Sequence, residues 1–216
     1  MLKVLAGWGN FIVNVGGDGV EIDEFSRTVI LNAVVHETAH FWAAVTYQMI
    51  WDPAQKSKLV EDIAESNYNT WIWEGGAQAL SLITLKDTKL INDSAYESKR
   101  NHLLNDCIDV LKDKRVVDAT KFSDEMEWAP YRCGEWFQHA VVDLIRKKKP
   151  KYTIYKLWKA IFKAAGSAKE IDNKVFFKAL RAESPDITDE YEKKLRLFFV
   201  TPGTELKALA DSYAIY

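Results

Sequence analysis

Between Thr28 and Ile50 the chain is apolar almost without interruption, yet His36, Glu37 and His40 stand in its middle. An apolar stretch of that length is either a membrane span or an interior helix. Three ionisable groups at its centre argue against the span. The expectation is a long, largely buried helix from Glu24 to about Ile50, stopping before Pro53. Burying two imidazoles and a carboxylate together costs several kcal/mol unless they are paired or hold a metal. The rest of the fold must therefore bring a partner to them.

The spacing says what kind. His36-Glu37-Thr38-Ala39-His40 is an H-E-x-x-H pattern, which residue frequencies alone produce in roughly one chain in a hundred of this size. Four residues apart on a helix, both imidazoles lie on one face, a turn from each other, where they can share one ion. A zinc ion with three protein ligands keeps a fourth position for water and lowers that water's pKa towards neutrality. Glu37, beside it on the surface of the helix, can then accept a proton. His36 and His40 are candidate zinc ligands, one zinc per chain, and Glu37 a candidate general base. The spacing alone leaves the third ligand open among Glu61, Asp62, Glu65 and Glu74. The first three share a charged stretch that reads as a solvated helix face. Glu74 follows Trp71-Ile72-Trp73 and precedes Gly75-Gly76, which permit close backbone packing.

The remaining elements read as mainly helical with a small β element at the N-terminus. Val4–Trp8 and Phe11–Val15 form a candidate hairpin, with turn chemistry at Gly16-Gly17-Asp18-Gly19. Helices are expected over residues 56–66, 70–85, 93–114, 130–148, 154–165, 172–181 and 188–199, with 116–129 irregular and Pro130 in a first helical turn. The basic run Arg146 to Lys149 stands where a helix ends and complements its dipole. A net charge of −2 gives no footprint for nucleic acid. Cys107 and Cys133 make no disulfide framework, and nothing in their spacing argues for a single bridge. His102 and His139 read as surface or packing residues. No basic-then-apolar leader opens the sequence, and so short a lead-in to the motif is what one domain of a larger protein would have. The cellular compartment and the oligomeric state are left open.

Three segments together resemble a known family. His36-Glu37-Thr38-Ala39-His40-Phe41-Trp42, then Trp71-Ile72-Trp73-Glu74-Gly75-Gly76-Ala77, then Pro130-Tyr131-Arg132-Cys133-Gly134 are similar to the H-E-x-x-H, W-x-x-E-G-x-A and P-Y-x-x-G elements of the gluzincin metallopeptidases, closest to the aminopeptidase N-like and glycyl aminopeptidase branches. The resemblance implies a thermolysin-like (zincin) catalytic domain over residues 1–216. A zinc-binding lobe would span 1–90, and a helical lobe carrying Tyr131 would span 91–216. It implies Glu74 as third zinc ligand, Tyr131 as the phenol that stabilises the oxyanion, and a peptide or protein as substrate. Gln78, one turn after Glu74, is expected to orient a ligand by a hydrogen bond.

Two features depart from the pattern. The gap between His40 and Glu74 is longer by roughly the stretch Trp51 to Ser66, which keeps Glu65 and Glu61 as fallback ligands. The family's substrate-binding edge strand, G-x-M-E-N in the aminopeptidases, corresponds to Gly7-Trp8-Gly9-Asn10, with Gly9 where the amine-binding glutamate should stand. Such a strand still pairs with an extended peptide through its backbone. Exopeptidase and endopeptidase action are thus equally expected, and the alternative is a peptide- or protein-binding module that does not cut.

Overall fold

The computed structural model describes residues 2–7, 10–15, 24–44, 48–49, 69–118 and 127–213, with side chains described for 29–40, 69–118 and 127–213. Eight α-helices dominate the described residues, with very little strand. Strands β1 (Leu2–Gly7) and β2 (Asn10–Val15) form the expected antiparallel hairpin, in which Gly7 faces Asn10. The segments 16–22 and 56–66 lie outside the described residues.

Helix α1 (Glu24–Ala44) carries the H-E-x-x-H motif but ends short of Ile50. Gln48–Met49 instead form strand β3, which pairs in parallel with β4 (Glu170–Ile171). Nor is α1 the deeply buried helix expected. Of its side chains between Val29 and His40 only His36 is buried, and Val29 is exposed. Among the described residues its main helical neighbour is α2, and Tyr131 stacks on His36.

The core lies below it. Helices α2 (Thr70–Asp87), α3 (Asp93–Leu111), α4 (Ala129–Arg146) and α5 (Ile154–Ala165) follow, then α6 (Asn173–Glu183), α7 (Asp189–Val200) and α8 (Gly203–Ser212). A 3₁₀ turn at Val116–Asp118 opens the stretch read as irregular. The starts of α3, α5, α6 and α7 are fixed by Asn92, Thr153, Asp172 and Thr188, whose side chains accept a backbone N–H of the first turn. Trp71 packs on Phe199 and Phe176 at ring separations of 4.4 and 4.8 Å, and Phe137 on Phe199 at 4.7 Å. This aromatic cluster packs α2 against α4, with Trp71 one turn before Glu74.

Glycines explain how close those two helices come. A Cβ on Gly75 would stand 2.3 Å from the carbonyl carbon of Gly134, and one on Gly134 would stand 2.3 Å from the Trp71 carbonyl oxygen. The helices therefore cross backbone to backbone, which only glycine permits. Gly76 leaves room for the Trp158 ring, 2.0 Å from where its Cβ would be. Buried Gln138 ties three helices at the same level: it donates to the Ile72 carbonyl (2.8 Å) and accepts from Trp158 Nε1 (3.0 Å).

A disulfide joins Cys107 on α3 to Cys133 on α4. Its spacing of 26 residues carried no signal, because the pairing depends on two helices packing side by side. Among the described residues no helix is long and apolar enough to cross a membrane.

Candidate metal centre

Helices α1 and α2 bring the motif and Glu74 together. His40 Nε2 lies 2.9 Å from Glu74 Oε2, His36 Nε2 lies 3.3 Å from the same oxygen, and the two Nε2 atoms are 3.0 Å apart. His36 is 6% exposed. Ligands at about 2.0–2.1 Å from a tetrahedral zinc stand about 3.3 Å from one another, so this triangle is a slightly contracted face of such a tetrahedron.

Protons cannot satisfy these contacts. If one imidazole carries hydrogen on Nε2, the other presents a lone pair to the carboxylate. If both carry it, the two N–H groups face each other. With Glu74 ionised, every assignment leaves one repulsive edge, whereas a cation at the centre of the three atoms makes all three favourable. The residues present thus fit a divalent metal. Among the described residues this is the group close enough to hold one.

The electrostatics are consistent with that fit. Burial opposes ionisation of Glu74, but hydrogen bonds from His36 and His40, reinforced by their charge, bring its pKa down to about 2. Tyr131, in the first turn of α4, stacks on the His36 ring at 5.7 Å and 23°. Burial, then the charge of Glu74 and a hydrogen bond with it, and more weakly the charge of Glu37, push the Tyr131 phenol well above its ordinary range. It stays a protonated donor. Glu37 is half-buried on the same stretch of α1.

Other expectations fare differently. Gln78 does not reach a histidine: its Oε1 accepts from Asn32 Nδ2 at 3.2 Å. Ser81 Oγ donates to Asn32 Oδ1 at 2.7 Å, so Asn32, one turn before His36, anchors α1 to α2. His36 Nδ1 is buried without a hydrogen-bond partner. Gly7 and Asn10 close the hairpin as paired strand residues, and β2 lies against α1. Trp8, Gly9, Glu61, Asp62 and Glu65 lie outside the described residues. His102 is exposed, but His139 is fully enclosed in α4, and burial, then the charges of Arg100 and Arg146, hold its pKa well below normal.

Asn32 and Gln138 escaped notice although both are polar residues in apolar surroundings, which was the available signal. Trp128, in ring contact with Tyr131 at 5.3 Å, had none. Compared with known proteins, the chain matches no family model, and no curated protein or solved structure is significantly similar to it.

Proposed function

We propose that this chain is a zinc-dependent peptidase with a gluzincin-type, thermolysin-like site, in which His36, His40 and Glu74 hold the metal. The observation that carries the reading is the triangle of two imidazole nitrogens and one carboxylate oxygen, which no placement of protons on the imidazoles satisfies while Glu74 is ionised. Zinc bound there would supply Lewis acidity, making water a nucleophile at neutral pH and polarising the scissile carbonyl.

The chain's own groups do the rest. Glu74 remains an anion and balances the ion's charge. Glu37 accepts the proton of the attacking water and later delivers it to the leaving amine nitrogen. Tyr131 donates its hydroxyl hydrogen to the carbonyl oxygen as negative charge develops there. The high pKa of that phenol suits this role, because a donor that ionised would repel the oxyanion.

The test is direct. Chain purified without chelator carries about one zinc, lost in His36→Ala. With zinc, it cuts members of a mixed peptide library, and chelator stops it. Glu37→Gln retains the metal and loses at least about a hundredfold in turnover. Wild-type turnover in Glu37→Gln refutes the mechanism. Tight peptide binding with no products identifies the non-cutting module instead.

A further inference from the structure

Trp128 is 51% exposed, the most exposed large apolar side chain among the described residues. It is also the one of these in ring contact with a residue of the metal centre. Its indole lies 5.3 Å from the Tyr131 ring, which in turn stacks on His36 at 5.7 Å. The Arg132 guanidinium sits over the indole at 5.9 Å and makes no ion pair among the described residues.

Helix stability does not explain the residue. Trp128 occupies the N-cap of α4, where Ser, Thr, Asp or Asn would accept a backbone N–H. It makes no such hydrogen bond. The position thus forgoes a cap and leaves half an indole in water, in contact with a phenol and a guanidinium.

We propose that Trp128 is a specificity-determining residue whose open face receives an aromatic or large apolar side chain of a peptide substrate. The two ring-to-ring steps, 5.7 and 5.3 Å, place the indole no more than about 11 Å from the His36 ring. Extended chain advances about 3.3 Å per residue, so the recognised side chain lies within about three residues of the bond that is cut. The inference rests on the peptidase reading, since it takes the metal centre as the place of cleavage. The substrate class is then an extended peptide with a large apolar residue at that distance, not a free amino acid or a small amide.

The experiment compares zinc-loaded wild type, Trp128→Ala and Trp128→Phe on peptide pairs differing only by Phe or Ala at each position around the cleaved bond. Wild type prefers Phe by about tenfold in kcat/KM at one position within about three residues of the cleaved bond, a magnitude typical of one buried aromatic contact. Trp128→Ala reduces that ratio to within about twofold, and Trp128→Phe keeps most of it. A ratio that persists in Trp128→Ala overturns the proposal and leaves the peptidase reading intact. Should wild type cut nothing, the peptidase reading fails. Binding of the same pairs to the zinc-loaded Glu37→Gln chain then decides for Trp128. Selective binding of Phe peptides that Trp128→Ala loses supports the indole as a recognition surface, and its absence overturns it.

Discussion

Replacing Glu135 by Gln should shift stability in the variant's favour as pH rises from 4.5 through about 7. Glu135 is 2% exposed on α4, and its Oε2 has no hydrogen-bond partner. Burial raises its pKa, against the opposing charges of Lys99, Arg132 and Arg100 and with the help of Asp106, to about 7 from the ordinary 4.5. A carboxyl whose pKa is raised by folding favours the folded state fully below the unfolded value. That contribution disappears as pH climbs from 4.5 to about 7. At about 1.36 kcal/mol per pH unit, the rise corresponds to about 3 kcal/mol lost by pH 8. Gln keeps the shape and cannot ionise, so its own hydrogen-bonding cost is the same at every pH. Urea unfolding at pH 5 and pH 8 isolates the effect. The stability difference, variant minus wild type, should move in the variant's favour by roughly 1–3 kcal/mol between the two, with m unchanged. A difference that stays constant, or moves the other way, refutes the reasoning.

Three further outcomes are expected. Gly134→Ala forces a methyl group onto the Trp71 carbonyl and should cost about 3 kcal/mol or more in thermal unfolding, with loss of bound zinc. Tyr131→Phe should keep zinc content near one per chain while kcat falls by about 10²–10³, and an unchanged kcat would remove the phenol from the chemistry. Cutting the Cys107–Cys133 bridge by a double change to Ala should lower stability by about 3 kcal/mol, the value for a closed loop of this length. Equal stability of the oxidised chain and the variant would deny the bridge any structural role.

Most of the helical fold and the centre of the site could be read from residue order, for identifiable reasons. Asn92, Thr153, Asp172 and Thr188 are local caps, and a local signal survives without knowledge of tertiary structure. His36 and His40 are placed by helix geometry alone, whereas Glu74 is one of four acidic candidates until the resemblance singles it out, and Tyr131 comes from the resemblance. What escaped detection was non-local. The Cys107–Cys133 bridge and the Gln78–Asn32 hydrogen bond depend on which helices pack together. Two-residue strands such as β3 and β4 are too short for a period to show. Helix α8 (Gly203–Ser212) was missed as well, its start lacking a side-chain cap. The exposure of α1 was misjudged because apolar content predicts burial only when enough neighbours exist to cover it.

Glu74 and Tyr131 sit beside one contact point, where Gly75 rests on Gly134. Any change that slides α2 along α4 displaces Glu74 relative to Tyr131, so a shift at this contact disturbs both at once. Variants at Gly75 and Gly134 should damage the protein as a single unit, the second adding little to the first. The His36–His40–Glu74 group is thus anchored at a fulcrum that tolerates little adjustment, and under the proposed peptidase function new substrate preferences would be gained on surfaces that turn about it rather than through it.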